Sequence, residues 1–130
     1  MADLLLDSDV VIWHLRGRRE VVELLVGLAG RARLGLSVLS RAEVLAGMRE
    51  SERTATLRFL DACESLPVGS RIADRAGEMV RKARESGGTM HLPDALIAST
   101  ALEAGIPLYT CNPRHYLVEG LEIRAVSPRA

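Results

Sequence analysis

The chain has 130 residues, enough for one domain with a proper buried core. Its residues are 48% hydrophobic and 26% charged, the profile of a soluble globular protein. Lys+Arg and Asp+Glu both number 17, so there is no net positive charge for bulk binding of nucleic acid, and any such contact needs a local arginine patch.

In chain order, Leu4–Leu6 is a short apolar run that stops at an acid and reads as a strand. A short helix is expected from about Ser8 to Leu15, closed by Gly17. Glu20–Ala29 repeats Val21, Leu24, Leu25 and Leu28 on one helical face. Arg33–Leu39 alternates Leu34, Leu36 and Val38 and reads as a second strand. Helices are expected over Ser40–Glu50 and Thr54–Glu64, then a strand over Ser65–Val68 and a charged helix over Ile72–Glu85. Gly87-Gly88 breaks the chain, and His91-Leu92-Pro93-Asp94 opens an apolar helix that runs to Ala104 and ends at Gly105. Pro107–Thr110 and Leu121–Val126 supply the last strands. Strands alternating with helices predict one α/β domain over 1–130, with a mostly parallel sheet of four to five strands flanked by helices.

In such sheets ligands bind beyond the carboxyl ends of the strands, and acids collect there. Asp7 follows the first strand, Glu43 lies one turn into the helix after the second, and Asp94 stands in the first turn of the apolar helix. Each has a structural explanation when taken singly. Asp7 or Ser8 can cap a helix, Ser40-Arg41-Ala42-Glu43 has the form of a capping box, and Asp94 suits a helix dipole. Together they put several carboxylates on one sheet edge, whose repulsion calls for protonation or a cation. An all-oxygen set without paired histidines or cysteines selects Mg²⁺ or Mn²⁺ rather than zinc.

The segments LLLDSDVVIWHLRG, LSRAEVLAGM and LPDALIASTALEAGIPLYTCNPRHY resemble the PIN-domain ribonucleases, and among them the VapC toxins of toxin–antitoxin pairs. The resemblance covers essentially the whole chain, with its motifs in the family's order and spacing. It implies that Asp7, Glu43 and Asp94 hold Mg²⁺ or Mn²⁺ for cleavage of an RNA phosphodiester. It also implies a homodimer and a cognate antitoxin that covers the site. The family's closing pattern falls on Thr110, Asn112, His115 and Tyr116. Where many members carry a fourth acid, Asn112 and His115 stand here, and Asn112 brings no charge.

Asp9 is a candidate extra carboxylate, and Ser8 and Thr110 are candidate supporting hydroxyls. Asn112 and His115 are candidates for substrate or supporting contacts. Arg16, Arg18 and Arg19 form a candidate RNA-contacting rim, set against the reading of a solvated loop. Glu78/Lys82 and Arg81/Glu85 have salt-bridge spacing on a solvated helix. Trp13, Phe59, Met48 and Met79 are expected as core or dimer contacts.

Two other functions start from the same residues. Asp7-Ser8-Asp9-Val10 also resembles the nucleophile motif of haloacid-dehalogenase phosphatases, with Asp7 attacking and Asp9 as acid/base. That family needs a lysine against the phosphate, and the one lysine here is Lys82. A non-catalytic antitoxin-binding module is the third reading, and a receiver-like domain fits worse because it too wants a lysine. Cys63 and Cys111 form no CxxC pair and are expected as reduced thiols. Asp3, Asp7 and Asp9 with no basic leading region argue against a signal peptide, and no apolar run is long enough to span a bilayer. The expected place is the cytoplasm.

Overall fold

The computed structural model describes residues 1–128. Five strands form one sheet: β1 (Leu4–Leu6), β2 (Leu34–Ser37), β3 (Glu64–Leu66), β4 (Leu108–Thr110) and β5 (Ile123–Ala125), in the order β3-β2-β1-β4-β5. All four pairings are parallel. Six helices connect them: α1 (Ser8–Leu15), α2 (Arg19–Ala29), α3 (Val38–Gly47), α4 (Arg53–Ala62), α5 (Ser70–Glu85) and α6 (Leu92–Ala104).

Side chains alternate across a strand, so the three leucines of β1 feed two different cores. Leu4 and Leu6 pack with Val10, Val11, Val21, Leu25 and Leu60, on the side of α1, α2 and α4. Leu5 packs with Ile97, Ala98 and Ala101 of α6, beside Met79 of α5. A sheet covered on both faces explains why β1, β2 and β4 read as apolar runs. It also explains why α6 buries Ala95, Ile97, Ala98 and Ala101, since it packs between the sheet and α5. Glu103 of α6 fastens that pair by ion pairs to Arg71 and Arg75 of α5.

Several expected boundaries shift. The second strand ends at Ser37, not Leu39, because the Ser37 hydroxyl accepts the Leu39 amide at 3.1 Å and starts α3 there. Ser40 therefore lies inside the helix, buried, and the expected capping box with Glu43 does not form. That helix ends at Gly47, and a 3₁₀ turn over Glu50–Glu52 leads into α4. The third strand is Glu64–Leu66 and the fifth α-helix starts at Ser70, each slightly earlier than its pattern suggests. On α5, Arg81 binds both Glu78 and Glu85, so Glu78 pairs with Arg81 rather than Lys82.

Strand order reverses at β1, with β2 and β3 on one side and β4 and β5 on the other. The crevice beyond the carboxyl ends of neighbouring strands at such a reversal is the usual ligand site of open α/β sheets. Here it opens between Asp7, after β1, and Cys111-Asn112, after β4.

Candidate active site

Asp7 leaves β1 in an extended conformation and caps α1, with Oδ1 accepting the Ser8 amide at 2.8 Å. Its other oxygen, Oδ2, accepts hydroxyl hydrogen bonds from Thr110 and from Tyr116, each at 2.8 Å. The residue is only 7% exposed. Burial pushes its carboxyl above the ordinary value, the bonds from Thr110, Tyr116 and Ser8 pull it back, and the charge of Asp94 raises it again.

Thr110 ends β4, and its hydroxyl also accepts the Asn112 amide at 3.0 Å, which turns the chain at the strand's exit. That turn is latched to the first turn of α1 by Asp9. The Asp9 carboxylate accepts the Asn112 side-chain amide at 2.7 Å and the Cys111 backbone amide at 3.2 Å. Burial, then the charge of Asp7, pushes the Asp9 carboxyl up to about 6.

Asp94 lies in the first turn of α6, where Pro93 sets the backbone and the helix dipole favours an acid. Its Oδ1 is 3.4 Å from the Tyr116 hydroxyl and its Oδ2 is 3.7 Å from Nδ1 of His115, which is exposed. Asp7, Asp9 and Asp94 are thus gathered through Thr110, Asn112 and Tyr116. Glu43 is exposed on α3 and makes no hydrogen bond or ion pair to them among the described residues. Ser8 contributes its backbone amide to Asp7. Of the three candidate rim arginines, Arg18 stacks on Trp13 at 4.7 Å and Arg19 pairs with Glu23 at 3.1 Å. Arg16, just past α1, stays without an ion pair among the described residues.

Tyr116 is the residue that sequence reasoning missed. It appeared there only as the aromatic of a closing pattern, yet it is 1% exposed and its hydroxyl reaches two of the predicted acids. The signal was a tyrosine where an apolar ring would fill the core equally well. A polar tip on a buried ring needs a partner.

The charge balance of the site is one-sided. No lysine or arginine pairs with Asp7, Asp9 or Asp94 among the described residues. Lys82 lies exposed on α5 along a groove lined by Met79, Met90 and Leu117, so the lysine that a phosphatase of the alternative kind requires is not in this crevice. Burial, then the charges of Asp9 and Asp7, pushes the Cys111 thiol up to about 12. Among the described residues no three acidic, histidine or cysteine groups already stand as a metal cluster. The donor chemistry of the crevice, carboxylate oxygens with one amide beside them, nonetheless fits a hard divalent cation, and Asp7 Oδ1 accepts a single hydrogen bond.

A family model described as PIN domain matches residues 4–121. Ribonuclease VapC10 of Mycobacterium tuberculosis is 41% identical over 113 residues, 87% of this chain and 85% of that protein. Ribonuclease VapC19 of the same organism is 36% identical over 113 residues, covering 86% of this chain and 90% of the relative. Among solved structures, DNA-bound VapBC from Salmonella typhimurium superposes with a TM-score of 0.83 at 19% identity, over 96% of this chain and 98% of the other. A toxin-antitoxin complex from Klebsiella pneumoniae gives 0.78 at 24% identity, over 96% and 97%. At those identities the likeness is one of fold.

Proposed function

The chain belongs to the PIN-domain family, with VapC ribonucleases as its relatives, and from that premise we propose that it is a Mg²⁺- or Mn²⁺-dependent endoribonuclease. It would act as the toxin of a type II toxin–antitoxin pair, in the cytoplasm, as a homodimer held in check by a cognate antitoxin. The observation that carries the reading is the gathering of Asp7 and Asp94 under one buried hydroxyl with no lysine or arginine paired to them among the described residues. Such an arrangement costs stability unless a proton or a cation relieves it, and carboxylate oxygens suit a hard divalent cation.

Asp7 and Asp94 would hold the cation, and Glu43, from the second turn of α3, would supply a third carboxylate. The bound ion would supply Lewis-acid stabilisation of the charge developing on the scissile phosphate. Thr110 holds the Asp7 carboxylate through Oδ2, while Oδ1 accepts the Ser8 amide alone. Asp9 is held by Asn112 and Cys111 and keeps the turn after β4 against α1, so its carboxylate supports the site from the side. His115, exposed beside Asp94, and Arg16, unpaired at the end of α1, are the groups available for substrate phosphates. No helix of the described residues is long and apolar enough to cross a membrane.

The test uses protein stripped of metal and incubated with purified RNA. Cleavage is expected when Mg²⁺ or Mn²⁺ is added, none in excess chelator, and none from Asp94→Asn with its fold intact. Full activity in chelator overturns the metal-dependent reading, and full activity of Asp94→Asn overturns the site.

A further inference from the structure

We propose that Tyr116 is a positioning residue: its hydroxyl sets Asp7 and Asp94 in the relation that lets one divalent cation bind both. The inference rests on the metal-dependent reading above and concerns how the site is prepared for the ion.

The geometry assigns separate work to the separate oxygens. On Asp7, Oδ2 takes the hydroxyl bonds of Tyr116 and Thr110, both at 2.8 Å, while Oδ1 takes only the Ser8 amide. On Asp94, Oδ1 lies 3.4 Å from the Tyr116 hydroxyl, while Oδ2 lies 3.7 Å from Nδ1 of His115. Tyr116 therefore gives its one hydrogen to Asp7 Oδ2 and stands within 3.4 Å of Asp94 Oδ1, and the other oxygen of each carboxylate keeps acceptor capacity for a cation. Its ring is locked in the core against Leu5, Ile97 and Leu108, so the hydroxyl is fixed by packing from the sheet and from α6. Without it, Asp94 loses the hydroxyl beside its Oδ1, Asp7 keeps only Thr110 and Ser8, and nothing ties the two carboxylates to each other. Groups that orient metal-binding carboxylates typically matter by about 10–100-fold in metal affinity.

Tyr116→Phe keeps the ring and removes only the hydroxyl, so a role in core packing alone predicts no change in metal binding. The experiment titrates Mn²⁺ into metal-free wild type, Tyr116→Phe and Asp7→Asn by calorimetry, with thermal melts of each in chelator. The positioning role predicts that Tyr116→Phe binds Mn²⁺ about tenfold more weakly or worse, and that its RNA cleavage recovers as Mn²⁺ is raised. Equal Mn²⁺ affinity in wild type and Tyr116→Phe overturns it. A wild type that binds no Mn²⁺ refutes the metal-dependent reading itself, which is a different result. Should Tyr116→Phe fail to fold, Tyr109→Phe leaves Tyr116 as the chain's one tyrosine. Its near-ultraviolet band is then expected to shift as Mg²⁺ saturates the site, and a band unmoved by Mg²⁺ overturns the role.

Discussion

Asp7 and Asp9 stand two positions apart, yet the backbone sends them to different partners. Asp7 caps α1 from outside the helix and turns back toward β4, where two hydroxyls hold one of its oxygens. Asp9 is already helical and latches the Cys111-Asn112 turn. Asp7→Asn removes a buried charge and keeps an acceptor oxygen, so in chelator at neutral pH its melting temperature is expected to match or exceed wild type. Mg²⁺ should raise the melting temperature of wild type and leave Asp7→Asn unmoved, since only a state that binds the ion is stabilised by it. Asp9 gives a pH dependence with a definite sign. Its carboxyl shifts from 3.8 to about 6 on folding, through burial first and the charge of Asp7 second. Between those values the folded protein binds more protons than the unfolded chain, so this group's stabilising contribution is present below about 4 and is lost as pH rises through about 6. The melting temperature of metal-free wild type should therefore fall relative to Asp9→Asn across that window. A difference that is flat with pH would contradict the account.

At the scale of elements, β1, α6 and β4 are legible because burial demands apolar runs, as in Leu4–Leu6 before Asp7 and the alanines, leucines and Ile97 of α6. The junction of β2 and α3 is not, because Leu34, Leu36 and Val38 keep strand alternation past the point where the Ser37 hydroxyl begins a helix. Val38 is 40% exposed in that first turn, so its apolar side chain misleads the pattern. Two substitutions separate the alternatives. Ser37→Ala should cost about 1 kcal/mol in denaturant unfolding, as the loss of an N-cap does. Ser40→Ala should cost nothing or stabilise, because the Ser40 hydroxyl is buried without a hydrogen-bond partner among the described residues. The sheet itself is tested at Gly35, where a Cβ would come to 2.6 Å from the Ala2 Cβ and 2.9 Å from Leu66 Cδ1. Gly35→Ala is expected to destabilise by about 1–3 kcal/mol, the usual cost of overpacking, with a lower denaturant midpoint as the readout.

Across the whole molecule, a neutral chain gathers buried and half-buried carboxylates at the one place where its strand order reverses, and among the described residues no lysine or arginine pairs with them. The positions of Asp7 and Asp94 follow from chain order, since a strand's end and a helix's start are readable from local pattern. The hydroxyl of Tyr116 that joins them is signalled only as a polar tip on a buried ring, and which acids it meets is set by the fold. The place of Glu43 is likewise given only by α3, which carries it exposed and without a hydrogen bond or ion pair to the other acids among the described residues. The central claim is that this crevice holds a divalent cation for RNA cleavage. It is tested most directly by soaking crystals of the protein in Mn²⁺ and recording the anomalous difference map. The account predicts one dominant peak bonded to the carboxylates of Asp7 and Asp94, absent from crystals of Asp7→Asn. A featureless crevice in fully soaked wild-type crystals, or a peak that persists in Asp7→Asn, would contradict it.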